Sequence, residues 1–335
     1  MKTTIYQANE EALQEAAAHL VAGELIAFPT ETVYGLGADA TNEQAVRMIY
    51  EAKGRPSDNP LIVHMDSKEQ IAKYVEDIPQ IAHKLIDAFM PGPFTIILKS
   101  NGKIAPTVTA GLNTVAIRIP NHPIARKFIE TAKKPIAAPS ANLSGKPSPT
   151  KAAHVIEDLQ SRIKGIIDGG ATGVGIESTV VDATGPLPVI LRPGGITQEQ
   201  IEAVVGQVAN KKIIEKDQPK SPGMKYNHYE PEVPLYLIKG KVGFIQSRID
   251  ELTNEGKRVA VIASAELAEQ VVAPQVYRCG SVTNLPEVAT HLYDALRHFK
   301  QKDVDIILAE SFTTEGIGQA IMNRLTKAAT GEIKE

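Results

Sequence analysis

The chain has 335 residues, 43% of them apolar and 22% charged, and its 36 basic against 39 acidic side chains leave a formal net charge of −3. That balance suits a soluble protein long enough for two cores and argues against a generic nucleic-acid coat, though not against a local basic pocket. One cysteine, Cys279, excludes an internal disulfide framework and cysteine-rich zinc sites. No apolar run nears the ~20 residues needed to span a bilayer, and the first residues lack the apolar stretch of a signal peptide, so a cytoplasmic location away from membranes is expected.

Glu10 to Ala22 predicts an amphipathic helix, with Leu13, Ala17, Leu20 and Val21 on one face. Leu25 to Phe28 reads as a strand that stops at Pro29, and the polar trio Thr30, Glu31 and Thr32 follows at once. Thr41-Asn-Glu-Gln44 has the pattern of a capping box for a helix through about Glu51, with the cations Lys53 and Arg55 around Gly54 just beyond it. A strand at Leu61 to Val63 ends in His64. Ser67-Lys-Glu-Gln70 predicts another capped helix to about Val75, and Ile78 to Ala88 a third before Met90-Pro-Gly-Pro93. Phe94 to Leu98 and Thr114 to Ile119 read as strands; the second alternates Val115, Ile117 and Ile119 against Thr114, Ala116 and Arg118. A helix over Pro123 to Thr131 and a short buried strand at Pro135 to Ala138 lead into the hydroxyl-rich loop 139–149. Thr150 is expected to cap a helix to about Leu159. Strands at 178–182 and at Val189 to Arg192 precede the capping box Thr197-Gln-Glu-Gln200.

After residue 208 the composition shifts to lysines and prolines with little apolar periodicity, and 209–234 reads as an interdomain linker. Beyond it, Val242 to Ile245, Val259 to Ala263 and Val304 to Leu308 look like buried parallel strands, separated by helices near 249–254, 265–271, 286–300 and 320–329. That alternation predicts a small doubly wound domain.

Several residues suggest chemistry. Lys53 and Arg55 could simply complement a helix C-terminus, but beside Asn59 and His64 they equally suit a polyphosphate. Arg118 in its alternating strand points to the solvent face on the plain reading. Arg192, before Pro193-Gly-Gly195, is better placed to reach an anion. Ser140 is either a turn former or a hydrogen-bonding group; no Gly-x-Ser-x-Gly elbow surrounds it. Gly35-Leu-Gly37 is not a dinucleotide fingerprint, because the next helix begins only after Thr41. The scattered histidines disfavour a protein-built transition-metal site. The residues alone support an α/β enzyme with an anion pocket.

Taken together, Pro29-Thr-Glu-Thr-Val-Tyr-Gly-Leu36, Lys53-Gly-Arg55 with Asn59-Pro-Leu61, Arg118 with Pro120, Pro139-Ser-Ala-Asn142, Ser178-Thr-Val180 and Leu191-Arg-Pro-Gly194 resemble, in order, the YrdC-like family of threonylcarbamoyl-AMP synthases. Ser221-Pro-Gly-Met-Lys-Tyr226, His228 and Tyr229-Glu-Pro231 resemble the linker of its two-domain form. The resemblance implies a twisted mixed-sheet catalytic domain with a deep basic cavity (1–208), a linker (209–234) and a Rossmann-like parallel-sheet domain (235–335); Tyr226 on its proline-flanked segment suggests that the linker also serves as a lid. It implies that L-threonine, bicarbonate and ATP give threonylcarbamoyl-AMP and pyrophosphate, the first step of threonylcarbamoyladenosine formation in tRNA. Mg²⁺ would arrive on the ATP phosphates. A separate tRNA-modifying transferase would use the product, with at most weak direct tRNA contact. By the same resemblance, threonine meets Thr32, His64, Arg118, the backbone at Ala138, and Ser178. ATP meets Arg55, Asn59, Thr114, Ser140, Ser148, Arg192 and Tyr226, and Lys53 and Arg55 face the reacting phosphates. An RNA-binding protein, or a regulatory nucleotide-binding protein without turnover, is the alternative.

Overall fold

The structure, a computed structural model, describes residues 2–209 and 228–335. These residues fall into two compact units: 2–144 with 148–209, and 145–147 with 228–335.

The first unit is built on ten described strands: β1 (Thr4–Gln7), β2 (Ile26–Phe28), β3 (Gly35–Asp39), β4 (Ile62–His64), β5 (Phe94–Lys99), β6 (Thr114–Arg118), β7 (Ile136–Ala137), β8 (Gly165–Asp168), β9 (Thr179–Asp182) and β10 (Val189–Arg192). Their order across the sheet is β1-β8-β2-β3-β7-β4-β6-β5-β9-β10, and parallel and antiparallel pairs are mixed. The expected mixed sheet is therefore present. Helices at Glu10–Val21 and Pro123–Ala132 pack with Phe28, Ile26 and Ile136 into one apolar cluster. A larger cluster holds Ile49, Val63, Ile96, Ile117 and Val181.

Local starts and stops differ in part from the sequence reading. The helix Glu43–Lys53 is capped by Asn42, whose side chain accepts from the Gln44 and Ala45 amides, not by Thr41. Thr41 instead donates its hydroxyl to Asp39, a competing local turn. Ser67 is an N-cap without a side-chain bond, because its hydroxyl goes to Asp66, and that helix is only Lys68–Ile71. Lys151, not Thr150, begins the helix Ala152–Leu159. The Thr197–Gln200 capping box is present with both reciprocal bonds.

The second unit carries β11 (Leu235–Lys239), β12 (Val259–Ala263), β13 (Gln275–Arg278), β14 (Ile306–Glu310) and β15 (Gly331–Lys334), all parallel, in the order β13-β12-β14-β11-β15. Val242 to Ile245 is not a strand. It opens the helix Val242–Asn254, whose buried Ile245, Ile249 and Leu252 follow helical spacing, and the strand lies before it.

Candidate functional site

The site is best built from one register row. In the β4–β6 pair His64 lies opposite Arg118. In the β5–β6 pair Ile96 lies opposite Ile117, so Thr95 and Arg118 are the next residues along. Thr95 then lies opposite Val180, and Val180 opposite Arg192. Val63, Ile117, Ile96 and Val181 belong to the large core cluster on one face. The period of two sends His64, Arg118, Thr95 and Val180 to the other face. That face is covered as well: Thr114 is 9%, Ala116 5% and Arg118 4% exposed. Arg118 is thus not on a solvent face. The strand alternation placed it on the side away from the main core, but both sides are buried.

Two buried guanidinium groups stand in this row. Burying an unpaired ion costs several kcal/mol, so each must be held by dense partners. Arg118 Nη1 donates to the Thr32 hydroxyl at 2.8 Å and Nε to the Gly92 carbonyl at 3.3 Å. Its Nη2 lies 2.7 Å from Glu31 Oε1. Thr32 is itself fixed by a 2.8 Å contact to Thr30, whose hydroxyl donates to the Val33 carbonyl. The polar trio after β2 is therefore a rigid turn folded against Arg118. Arg192 donates from Nε and Nη2 to the Ser178 carbonyl, at 3.1 and 3.0 Å, and from Nη2 to the Ser178 hydroxyl at 3.2 Å. Thr95 and Ser178 share a 2.7 Å hydroxyl contact. Gly194 lets this happen: a Cβ there would sit 2.3 Å from the Glu177 carbonyl oxygen and 2.4 Å from the Ser178 carbonyl carbon.

His64 faces Phe28 edge-on, and its Nδ1 is 3.2 Å from the Ile62 carbonyl. Burial, followed by the charge of Arg118, pushes its pKa down to about 3, so the ring is neutral near pH 7. A histidine lowered in the folded state takes up its proton more readily when unfolded. Its contribution to stability is full above pH 6.5 and is lost as pH falls towards 3. Urea unfolding at pH 7.5 and 4.5 is expected to show a larger acid loss in the natural protein than in His64→Gln. Equal losses would contradict a buried neutral ring.

The remaining candidates lie at a helix end, at a strand start and in loops. Gly54, in the left-handed region at φ 62°, ends the helix Glu43–Lys53 and separates the two cations. Lys53 is 2% exposed and donates from Nζ to the carbonyls of Ser140 and Asn142, the latter at 2.6 Å. Its ammonium thus tethers the Pro139–Asn142 loop. Asn59 is buried, and its side-chain oxygen and nitrogen have no hydrogen-bond partner among the described residues. Ser148 donates to Glu177 at 2.6 Å, with both side chains buried. Thr114 stands at the start of β6, and the Ala138 amide donates to Ile62 at 2.9 Å. Tyr226 and the linker motif 221–227 lie outside the described residues. Thr95 and Glu177 were missed by the sequence reading. A lone threonine in an apolar strand, and a glutamate just before Ser178, were the available signals. Among the described residues no group of three His, Cys, Asp or Glu side chains is disposed to hold a metal. A crevice of about 510 Å³, lined by Asp66, Ser67, Pro123, Arg126, Lys127 and Glu130, contains none of the candidates.

Comparison with known proteins gives a consistent result. The family model described as "Telomere recombination" (Sua5, YciO, YrdC) matches residues 18–194, and one described as "Threonylcarbamoyl-AMP synthase, C-terminal domain" matches 196–330. A Bacillus subtilis (strain 168) protein named threonylcarbamoyl-AMP synthase is 53% identical over 328 residues, which cover 97% of this chain and 95% of its own. A Pyrococcus abyssi protein of the same name is 47% identical, with 96% and 95% covered. The crystal structure of P. abyssi Sua5 complexed with L-threonine is similar over 100% of both chains, with a TM-score of 0.92 and 44% identity. E. coli YciO shares the fold alone, with a TM-score of 0.53 and 22% identity over 58% of this chain and 97% of its own.

Proposed function

The chain belongs to the threonylcarbamoyl-AMP synthase family in its two-domain form, and from that premise we propose that it condenses L-threonine, bicarbonate and ATP into threonylcarbamoyl-AMP and pyrophosphate. Membership makes it a transferase that forms an adenylate and serves tRNA modification. The observation that carries the substrate reading is the row from His64 through Arg118 and Thr95 to Arg192. It holds two buried, fixed cations on one sheet face, and the reaction brings an amino-acid carboxylate and a polyphosphate together with bicarbonate, itself an anion.

In this reading Arg118 takes the threonine carboxylate, and Thr32, His64, Ser178 and the Ala138 backbone surround the rest of the amino acid. A neutral His64 adds an imidazole beside the carboxylate site without adding charge. Arg55, Asn59, Thr114, Ser140, Ser148, Arg192 and Tyr226 hold ATP. The orphaned Asn59 amide is a ready partner for a nucleotide group. Lys53 holds the Ser140 loop through its carbonyls and, in this reading, faces the reacting phosphates together with Arg55. Mg²⁺, carried on the ATP phosphates, would offset their charge. Once its ammonium has given up a proton, the threonine amine adds to bicarbonate with loss of water (or to CO₂ with loss of a proton) to give a carbamate. A carbamate oxygen attacks the α-phosphorus, the α–β bridging P–O bond breaks, and pyrophosphate leaves. No bond to the protein forms, so rate comes from positioning and fixed charge. A separate transferase would carry the threonylcarbamoyl group to tRNA.

Pyrophosphate release from ATP is expected only when both L-threonine and bicarbonate are present, with a new adenylate visible by mass spectrometry. ATP binding without release would instead fit a regulatory nucleotide-binding protein.

A further inference from the structure

The pair Glu31 and Arg118 carries one step more. Glu31 lies in the turn after β2, with its side chain 12% exposed. Its Oε1 approaches Arg118 Nη2 to 2.7 Å, yet the contact lacks the alignment of a hydrogen bond. Both Glu31 oxygens and Arg118 Nη2 are left as buried polar atoms without a hydrogen-bond partner among the described residues. The rest of the guanidinium is committed: Nη1 to Thr32 and Nε to Gly92. The open edges of the two groups therefore meet at one point. Folded proteins seldom leave buried charged atoms unbonded, and where they do a missing ligand is a standing explanation. Among titratable neighbours, His122 feels the Glu31 charge, but burial dominates and holds its pKa below the ordinary value. It is therefore not a cationic partner for Glu31 near pH 7.

A buried carboxylate beside a buried guanidinium is the complement of a zwitterion. An α-amino acid near pH 7 carries its ammonium and carboxylate on one carbon. We infer that Glu31 receives the α-ammonium of the amino-acid substrate while Arg118 Nη2 receives its carboxylate. The inference rests on the reading above that threonine binds at Arg118. Glu31 then makes the site selective for α-amino acids over 2-hydroxy acids of the same shape, since a hydroxyl brings no charge to the carboxylate. A site whose buried polar group is left unpaired rejects the deficient analogue strongly.

The test uses the full-length protein and calorimetric titration near pH 7 with L-threonine and with 2,3-dihydroxybutyrate, the analogue that has a hydroxyl in place of the amine. The natural protein is expected to bind threonine and to bind the analogue at least about 10-fold more weakly. Glu31→Gln, which keeps the shape, is expected to weaken threonine about 10- to 100-fold and to narrow the difference between the two ligands. ATP affinity is expected to stay unchanged in that variant, which reports that the fold is intact. Unaltered or tighter threonine binding in Glu31→Gln, with binding lost in Arg118→Lys, would make Glu31 a bystander or a competitor for Arg118 and overturn the inference alone. Equal affinity of the unsubstituted protein for both ligands would also overturn it, without any variant. Unaltered threonine binding in Arg118→Lys would overturn the inference together with the underlying placement of threonine.

Discussion

Arg192→Ala is expected to lower threonine-dependent pyrophosphate release by about 10²–10³-fold, the usual loss when one preorganised charge-stabilising contact is removed. The side chain is 6% exposed and clamps Ser178 through two bonds to its carbonyl and one to its hydroxyl. The substitution therefore removes a charge and also releases a residue assigned to the amino acid. Losing the donors to the Ser178 carbonyl costs about 1–3 kcal/mol of stability, so turnover should be compared well below the unfolding midpoint of the variant. Arg192→Lys separates the two effects. It keeps the charge, but a single ammonium does not reproduce the planar fork on Ser178. Partial recovery with lysine would assign the loss chiefly to charge, and no recovery would assign it to geometry. Turnover within a few-fold of normal in Arg192→Ala would contradict the placement of ATP against this side chain.

Gly194→Ala is expected to destabilise the first unit by about 1–3 kcal/mol, the range typical of overpacking, and to reduce turnover disproportionately. The added methyl would meet main-chain atoms of Glu177, Ser178 and Thr179 at 2.3–2.4 Å, and none of these is the movable end of a side chain. Relief requires the Ser178 segment to shift. A displacement of about 1 Å in a positioning group can cost 10²-fold in rate. Thermal unfolding and steady-state kinetics on one preparation check both parts. A variant with normal stability would mean that the Pro193–Gly194 turn moves freely, contrary to its close packing against Ser178.

Much of this arrangement was legible, and what was not has identifiable causes. Glu10–Val21, Pro123–Ala132, Val259–Ala263 and the Thr197 capping box follow directly from periodicity and cap chemistry. Gly35–Asp39 is a strand, but its glycines read locally as a loop. Their strand character comes from pairing on both sides with β2 and β7. Asn42 and Thr41 are both good caps one residue apart, and the nearby Asp39 carboxylate decides between them by taking Thr41. Val242 begins a helix because its apolar partners fall at Ile245, Ile249 and Leu252, a spacing that a four-residue window does not show. At the site, Lys53, Arg55, Arg118 and Arg192 stood out by type and punctuation. The burial of Arg118 did not, because alternation tells one face from the other and does not tell whether the second face is covered. Thr95 and Glu177 acquire meaning only through partners 83 and 29 residues away.

The register row has a thermodynamic corollary. Its members come from β4, β6, β5, β9 and β10, so Arg118 and Arg192 share one face only when strands spanning residues 62 to 192 are in register. Pairings this distant in sequence are slow to form, because loop closure must be met before they contribute. Fraying of one strand would break the row that joins the two guanidinium groups. Substrate binding should therefore stabilise the sheet against opening, because the ligands bind only the state in which the row is formed. In hydrogen exchange, saturating threonine and ATP should slow the amides of all five strands by a common factor, including those in β9 and β10 that lie far along the chain from Arg118.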